Sequence, residues 1–249
     1  MSPPLETSSV LTVDVVIPVL NEETALPVCI SKLRDFFARN PGPEWRILVA
    51  DNGSTDRTVE VANSLMGDAR DLNVTHLELR GRGRALKQAW LESDADVLCY
   101  MDVDLSTDLK SLPEMVEAVS EGGYDLAIGS RLLKDSDVVG RTLKREITSR
   151  GYSLLFRSMF FTGFRDAQCG FKAINRGAAQ MLVPLVKDNA WFFDSELLII
   201  AEKNGFRIKE IPVRWVDDPD TRVKIISTAW EDIKGLLRLR FRGIPHPKR

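Results

Sequence analysis

The stretch Val97–Ser106, with the sequence VLCYMDVDLS, decides the fold class predicted for this chain. Five apolar or aromatic residues lead directly into Asp102 and Asp104, a pattern typical of a buried strand that ends in charge. The two carboxylates are two residues apart, so they lie on the same side of an extended backbone. In open α/β sheets ligands bind beyond the carboxyl ends of the strands, where such a pair can hold a hard cation against a phosphate. Taken alone, an Asp-x-Asp sequence is more often a solvated loop or a helix cap, so its surroundings must decide.

Three further strands are predicted before this stretch, each followed by a helical pattern. They are Leu11–Leu20, Trp45–Ala50 and Val74–Leu79. The first is almost continuously apolar, as in central parallel strands that are covered on both faces. Strands that alternate with helices predict a doubly wound, Rossmann-like α/β fold with a mostly parallel sheet and helices on both faces. For a chain of 249 residues we expect a single domain over residues 10–249, after a flexible tail of residues 1–9.

Polar residues occupy the corners after these strands. Asn21 and Thr24 are predicted to cap the helix after the first strand. Asp51 ends the second strand, where the base or ribose of a nucleotide would meet it. In the Gly-Arg repeat Arg80–Arg84, the glycines would let the backbone approach a phosphate, and Arg82 or Arg84 would supply positive charge. A solvated basic loop is the alternative interpretation of that repeat.

The composition is that of an ordinary globular protein, because 44% hydrophobic and 28% charged residues exclude a disordered or fibrous chain. A net charge of -2 implies no bulk attraction to nucleic acid, so no nucleic-acid partner is expected. The three cysteines form no CxxC pair, and we expect buried thiols in a reducing cytosol. No apolar run reaches the ~18 residues of a membrane span, and the first residues lack a signal-peptide pattern. These features predict a cytoplasmic protein.

Residues 141–164 alternate basic residues with bulky apolar ones. A segment of this kind suits a membrane interface, with Phe156, Met159 and Phe160 as the predicted contacts. A core-facing helix with exposed arginines fits the same periodicity, so both interpretations stay open.

Other elements of the second half are short. A strand is predicted at Lys209–Val213, near a sheet edge because of its proline. Asp194 lies in the apolar run WFFDSELLIIA, so it is either buried and paired or functional. A capping box at Thr228–Glu231 is predicted to open the last helix, with Trp230, Ile233 and Leu237 on one face. Both histidines are isolated in the sequence, and neither is predicted to be a ligand.

Five motifs in sequence order resemble those of family 2 glycosyltransferases, which have the GT-A fold. They are VVIPVLNEE from Val15, VADNGSTD from Val49, RGRGRAL from Arg80, MDVDLS from Met101 and IGSR from Ile128. Later segments resemble the polyprenyl-phosphate branch of that family, notably dolichyl-phosphate glucosyltransferase and dolichyl-phosphate mannose synthase. They are RDAQCGFKAINR from Arg165, WFFDSELLIIA from Trp191 and WEDIKGLLRLRFR from Trp230.

The resemblance implies a donor site over the ends of the early strands. Asp102 would contact ribose or metal, and Asp104 would coordinate a Mg²⁺ or Mn²⁺ ion that bridges the diphosphate. Arg82 stands beside the base or phosphate, where many relatives carry Lys. Ser106 stands where relatives of the mannose synthase type carry Gln. The other residues implied around the nucleoside of the sugar nucleotide are Pro18, Asn21, Glu22 and Asp51.

The implied activity is an inverting transfer of a hexose from a nucleotide sugar onto a polyprenyl phosphate at the cytoplasmic membrane face. UDP-glucose is favoured as the donor, and GDP-mannose is the alternative. A lipid phosphate is already anionic, so no general base is needed and arginines position the phosphates. The candidates are Arg131, Arg145 and Arg222.

The resemblance also implies partners and an internal division. Peripheral membrane contact is expected, together with a separate integral membrane partner, because relatives carry membrane helices and this chain ends at Arg249 without one. The predicted division is a nucleotide-binding half over residues 10–105, an acceptor half over 106–225 and a C-terminal amphipathic helix over 226–243.

Two other functions stay open. A soluble hydroxyl acceptor would need a base to take its proton, and Asp194 is the candidate. The third function is a non-catalytic nucleotide-binding module, because a fold does not imply an activity. The intact Asp51, Asp102, Asp104 and Arg131 argue against this third function.

Overall fold

A seven-stranded sheet runs through the computed structural model, which describes residues 10–67, 71–217 and 225–247. Its strand order is β3-β2-β1-β4-β7-β5-β8, and β6 and β9 pair separately. The strands are β1 (Thr12–Val19), β2 (Glu44–Asp51), β3 (Leu72–His76), β4 (Val97–Met101), β5 (Leu126–Ser130), β6 (Asp137–Val139), β7 (Phe171–Asn175), β8 (Ile208–Pro212) and β9 (Arg214–Val216). The helices are α1 (Ala25–Arg39), α2 (Thr58–Met66), α3 (Arg82–Glu92), α4 (Leu112–Ser120), α5 (Leu143–Phe160), α6 (Arg176–Leu182), α7 (Phe193–Lys203) and α8 (Ile225–Arg242).

The four early strands pair in parallel, as their alternation with helices predicts. β1 lies between β2 and β4, with Val15 opposite both Ile47 and Cys99. Strand β7 is antiparallel to its neighbours β4 and β5. The sheet is therefore mostly parallel, and the predicted nucleotide and acceptor halves share it, since β4 of the first half pairs with β7 of the second.

Apolar cores cover both faces of the sheet. One contains Leu26 of α1, Ala62 of α2 and Met115 of α4. The other core is built by the remaining helices, and its buried side chains include Trp90, Phe156, Ala178, Leu197 and Leu236. Full burial of one such Leu or Phe contributes about 1.5–3 kcal/mol, so these two layers hold the helices against the sheet. The prediction of helices on both faces is confirmed.

The end of β3, the start of α3 and the cap of α1 differ from the sequence prediction. β3 ends at His76, three residues early, and α3 begins at Arg82, inside the predicted loop. Neither Asn21 nor Thr24 caps α1 with its side chain: Thr24 makes no capping bond, and the Asn21 carboxamide bonds to the turn after β2. β8 lies at the sheet edge, as its proline predicts.

The predicted capping box at the start of the last helix is wrong. α8 begins at Ile225, so Thr228 lies inside the helix and does not cap it. Asp232, Leu236 and Leu239 are buried, whereas Trp230 and Leu237 are exposed. Trp230, Ile233 and Leu237 share one side of the helix, as predicted, and the opposite side, which includes a carboxylate, is the buried one. Within the described residues, no helix is long and apolar enough to cross a membrane.

Asp232 joins α8 to the segment before β7. Gln168 Nε2 donates a hydrogen bond to Asp232 Oδ2 at 2.6 Å, and Asp232 Oδ1 is buried without a hydrogen-bond partner. Burial raises the pKa of Asp232 to about 7, opposed by the Gln168 hydrogen bond and assisted by the nearby carboxylates of Asp188 and Asp194. Ionisation of Asp232 therefore lowers the free energy of unfolding as the pH rises.

The variant Asp232→Asn tests whether Asp232 lowers the stability of the protein as the pH rises. A carboxyl whose pKa is raised on folding contributes its stability below the unfolded pKa, about 4, and loses it as the pH rises through about 7. We expect D232N to match the wild type in urea unfolding at pH 4 and to exceed it by at least about 1 kcal/mol at pH 8. The exposed neighbour variant Glu231→Gln should show no such divergence, and parallel pH profiles for D232N and wild type would refute the assignment.

Candidate active site

Three aspartates lie along one edge of the sheet, at the carboxyl ends of β2 and β4. Asp51 is the last residue of β2, and Asp102 directly follows β4. β1 runs between these two strands and pairs Val19 with Asp51. The loops that follow the three strands therefore meet above this edge, where ligands bind in open α/β sheets.

Asp51 is buried and has one unused acceptor. Its Oδ2 accepts hydrogen bonds from the backbone N–H groups of Gly53 and Ser54, both at 3.2 Å, and lies 2.7 Å from His76 Nδ1. Its Oδ1 is buried and has no hydrogen-bond partner. A buried carboxylate oxygen without a partner is costly, so this atom fits a ligand donor such as the N–H of a nucleobase. Sequence reasoning missed the contact of His76 with Asp51.

The loop after β1 is tied to the loop after β2. Asn21 has a left-handed backbone (φ 56°), and its side-chain Oδ1 accepts a hydrogen bond from Thr55 N at 2.8 Å. The backbone N–H of Glu22 donates to Thr58 Oγ1 at 2.8 Å. Pro18 lies within β1, opposite Ala50. The structure thus brings Pro18, Asn21 and Glu22 to the edge that carries Asp51, and their contact with a nucleoside stays a prediction.

Asp104 is held by the turn that contains it. Its Oδ1 accepts a hydrogen bond from Ser106 N at 2.9 Å, and its Oδ2 accepts one from Ser106 Oγ at 2.7 Å. Leu105 between them has a left-handed backbone (φ 51°), a conformation that is strained for a leucine and is concentrated at functional sites. Ser106 therefore orients Asp104. A cleft of about 530 Å³ opens beside Asp104, with Glu22 and Lys32 also in its wall.

The residues at this edge fit a divalent cation that is shared with a substrate. In the part of the chain that the structure describes, no group of three or more His, Cys, Asp or Glu side chains is arranged to hold a metal ion alone. Mg²⁺ is usually held by one or two carboxylates together with substrate phosphates and water. Asp102 and Asp104 supply such a partial set of ligands.

Asp102 packs directly on Gly170, in the segment before β7. A Cβ atom at residue 170 would lie 1.7 Å from Asp102 Oδ2, so only glycine fits. The backbone N–H of Asp102 donates to Gly170 O at 3.2 Å. Sequence reasoning missed this role of Gly170, since the two residues are far apart along the chain.

Arg82 joins Asp102 to Asp194. Its Nη2 donates to Asp102 Oδ1 at 2.8 Å, and its Nη1 donates to Asp194 Oδ2 at 2.7 Å. The guanidinium lies 4.9 Å from the Tyr100 ring centre and 5.1 Å from that of Trp191. A side chain that bridges two carboxylates and stacks on aromatic rings is better supplied by Arg than by Lys.

The glycines that flank Arg82 contact protein. A Cβ atom at Gly81 would lie 2.5 Å from Asn189 O, and one at Gly83 would lie 2.6 Å from Phe193 Cβ. These glycines let α3 pack against Phe193 of α7 and the residues just before it. The approach of their backbone to a phosphate stays a prediction.

Both carboxylate oxygens of Asp194 are engaged. Besides Arg82, they bind the Tyr100 hydroxyl and Lys172 Nζ, the latter at 3.0 Å. Burial would raise the pKa of Asp194, but Lys172 and Arg82 outweigh it and hold this pKa below its usual value. A carboxylate that is buried and paired with two cations is poorly suited to take a proton from a hydroxyl acceptor. The geometry therefore favours a positioning role for Asp194 over the role of a base.

The predicted phosphate-binding arginines are engaged in different ways. Arg131 makes a bidentate pair with Asp166, at 2.8 and 2.9 Å, and its guanidinium lies 4.8 Å from the Trp215 ring centre. Although burial opposes it, Arg131 lowers the pKa of Asp166 to about 2. Arg145 pairs with Asp217. Arg222 lies outside the described residues.

Solved structures show which class of protein has this fold. The chain superposes with a TM-score of 0.70 on glucosyl-3-phosphoglycerate synthase from Mycobacterium tuberculosis in complex with Mn²⁺, UDP and phosphoglyceric acid, at 18% identity over 94% of this chain and 80% of that one. The protein has the fold of GT-A glycosyltransferases.

The chain belongs to glycosyl transferase family 2, whose family model matches residues 14–182. It is 38% identical to glycosyltransferase AglD of Haloferax volcanii, over 94% of this chain but only 37% of that protein. It is 28% identical to a dolichyl-phosphate beta-glucosyltransferase of Dictyostelium discoideum, over 92% of this chain and 73% of that protein. The chain thus spans little more than a third of the first relative and about three quarters of the second.

The variant Asp194→Asn separates positioning from base catalysis. Neutralising Asp194 leaves Arg82 and Lys172 buried without their shared anion, so the free energy of unfolding should fall by about 3 kcal/mol or more. Denaturant unfolding measures this fall, and Asp35→Asn, at an exposed position of α1, is the matched control. Loss of turnover with unchanged stability is the result expected of a base, and it would contradict the positioning role.

Proposed function

We propose that this protein is an inverting, metal-dependent glycosyltransferase that moves glucose from UDP-glucose onto a polyprenyl phosphate at the cytoplasmic face of a membrane. The observation that carries the proposal is the acidic edge formed by Asp51, Asp102 and Asp104, with the buried Asp51 Oδ1 still lacking a partner. The cleft beside Asp104, about 530 Å³, falls within the usual range of small-molecule sites.

The names of relatives support the choice of substrates. Proteins named dolichyl-phosphate beta-glucosyltransferase match over most of this chain, including one from Drosophila melanogaster at 32% identity. Their name specifies a glucosyl group and a polyprenyl phosphate acceptor. GDP-mannose is the alternative donor, and a donor screen distinguishes the two.

The acidic edge would bind the donor. Asp51 Oδ1 would accept a hydrogen bond from a base N–H, and Pro18, Asn21 and Glu22 would surround the nucleoside. Asp102 and Asp104 would hold Mg²⁺ or Mn²⁺, which neutralises negative charge on the leaving diphosphate when bound. Asp102 and Asp194 both pair with Arg82. A donor that engages Asp102 would release Arg82 from that pair, so that the positive charge of Arg82 would act on the diphosphate.

The acceptor needs no base if it is a phosphate. An anionic phosphate oxygen attacks the anomeric carbon, the bond from that carbon to the diphosphate oxygen breaks, and UDP leaves with the electron pair. One displacement inverts the anomeric configuration. The engaged state of Asp194 supports this route, because the protein then needs to supply positioning and positive charge only.

The variant Asp104→Ala tests the donor site. Transfer of labelled glucose from UDP-glucose to a polyprenyl phosphate in the presence of Mn²⁺ should fall by at least about 100-fold, since several kcal/mol of charge stabilisation are lost. Glu117→Ala, an exposed carboxylate of α4, should keep full activity. Thermal unfolding checks that both variants fold, and UDP-glucose with Mn²⁺ should stabilise the wild type more than GDP-mannose does. Normal turnover by folded D104A would overturn the proposal.

An exposed apolar stripe supports peripheral contact with a membrane. On α5 and just after it, Leu143, Ile147, Leu154 and Phe161 are 74%, 62%, 70% and 82% exposed. Their spacing places them on one side of the helix. Exposed basic residues flank them, namely Lys144, Arg150 and Arg157. An apolar stripe with basic borders is the pattern of helices that lie in anionic membrane surfaces.

The residues first predicted to touch the membrane are the wrong ones. Phe156 and Phe160 are buried in the core, where Phe156 stacks on Phe164 with ring centres 5.1 Å apart. The opposite side of the same helix is the exposed one. Periodicity cannot distinguish these two sides, because both carry bulky apolar residues.

Liposome flotation tests the stripe. The double variant Leu154→Ser, Phe161→Ser should lower binding to vesicles that contain anionic lipid by about tenfold or more, because two exposed apolar side chains are lost from the contact. Met181→Ser, at an exposed position of α6, is the matched control and should bind as the wild type does. Unchanged flotation of the double variant would exclude this surface. A separate integral membrane protein that uses the product remains part of the proposal.

A soluble hydroxyl acceptor is the second candidate function, and a non-catalytic nucleotide-binding module is the third. A hydroxyl acceptor would need a base, and Asp194 is not suited to be one. An assay that offers polyprenyl phosphate and hydroxyl acceptors side by side separates the candidates. Transfer to hydroxyl compounds alone would favour the second, and absence of transfer and of donor hydrolysis would favour the third.

A further inference from the structure

A tryptophan with an exposed ring lies beside the acidic edge. Trp191 opens the motif WFFDSELLIIA and is 43% exposed. The Arg82 guanidinium lies over its ring, 5.1 Å from the ring centre, and the same guanidinium donates to Asp102 Oδ1 at 2.8 Å. One guanidinium group therefore separates the indole of Trp191 from a carboxylate of the proposed metal site. The proposed reaction uses the charges around this ring but not the ring itself.

The backbone on both sides of Trp191 is anchored in the protein. Asp188 N donates to the buried Glu196 Oε2 at 2.8 Å, and Ala190 N donates to Asp188 Oδ1 at 2.7 Å. Phe192, directly after Trp191, is buried in the core. The exposed ring is thus presented from a fixed backbone, which lowers the entropy lost when a ligand packs on it.

The surroundings of the indole decide what kind of ligand fits it. Arg82 lies over one face, so a ligand would meet the other face or the edge of the ring. Asp102 and Asp194 in turn hold that guanidinium. A purely apolar partner would have to cover these charges, and their desolvation would be costly. A ligand that carries both an apolar face and polar groups avoids this cost.

A pyranose ring has this mixed character. Its hydroxyl groups project from the ring edge and form hydrogen bonds, whereas its axial C–H bonds make apolar faces. In glucose the free ring hydroxyls are equatorial, so C–H groups occupy both faces. Such a face packs on an aromatic ring and makes weak C–H contacts with its π electrons. Aromatic walls with a few polar groups beside them are typical of small-molecule sites.

We infer that the sugar ring of the donor stacks on Trp191, which makes Trp191 a specificity-determining residue for the transferred group. This assignment rests on the proposed function, because it takes the sugar of a nucleotide sugar as the ligand. Asp102 and Asp104 would hold the diphosphate through the metal ion, and the sugar is bonded directly to that diphosphate. The sugar therefore lies within reach of the groups next to Asp102, and the Trp191 indole is one of them.

Calorimetry with the full chain and Mn²⁺ tests this inference by comparing UDP-glucose with UDP, which lacks the sugar. In Trp191→Leu the affinity for UDP-glucose should fall about fivefold or more, because the aromatic face that packs on the sugar is lost. The affinity for UDP should stay at the wild-type value. Trp191→Tyr restores an aromatic face and should recover most of the affinity for UDP-glucose. Trp230→Leu, at an exposed position of α8, is the matched control and should bind both ligands as the wild type does.

Two results would overturn the inference. Wild-type affinity of W191L for UDP-glucose would show that the ring does not contact the sugar, and an equal loss of affinity for UDP would show that the ring acts only through Arg82. If circular dichroism shows that W191L is unfolded, Trp191→Met decides, because methionine keeps apolar packing without an aromatic face. A loss for UDP-glucose alone is then expected, and wild-type affinity contradicts the inference.

Failure of the proposed function is distinguishable from failure of this inference. If the acceptor is wrong, the wild type will not transfer glucose to polyprenyl phosphate, while the loss of UDP-glucose affinity in W191L persists. If the donor is wrong, the wild type will bind GDP-mannose and not UDP-glucose. The same comparison, made with GDP-mannose and GDP, then tests the role of Trp191.

Discussion

The buried ion network around Asp194 is the interaction on which the active-site edge depends. This carboxylate pairs with both Arg82 and Lys172 and accepts a hydrogen bond from the Tyr100 hydroxyl. Charges in an apolar interior are stable only when they are fully paired, so each member holds the others in place. Through Arg82 the network reaches Asp102, and the position of Asp102 in turn requires glycine at residue 170.

The need to pair buried charges separates the roles of the aspartates. Asp194 and Asp166 serve arginines, and both have lowered pKa values because cations outweigh the effect of burial. Asp51 and Asp104 lie at the edge itself, where Asp51 keeps a buried oxygen without a partner. A site that commits its interior carboxylates to arginines favours an acceptor that brings its own negative charge. The proposed acceptor phosphate satisfies that requirement.

Much of the fold could be predicted, because strand and helix periodicities are local properties of the chain. The four parallel strands, the aspartates at their ends and the edge strand with Pro212 follow from patterns of a few residues. The failures share a cause. The pattern did not predict that Gly81 and Gly83 make room for Asn189 and Phe193, and Phe156 lies on the buried side of a helix whose two sides are both apolar. In each case the deciding neighbour is distant in sequence.

The sequence by itself determined the class of protein: alternating strands and helices specify the doubly wound sheet, and the motifs around Asp51, Asp102 and Asp104 specify a family 2 glycosyltransferase. Only the tertiary structure decided how the charged residues divide their work. Asp194 and Arg131 are catalytic candidates in the sequence, and only the structure shows that they are paired with Lys172 and Asp166. Whether a buried charge is available to a ligand depends on its pairing, and pairing across a folded core is a matter of three-dimensional distance that no local pattern of residues encodes.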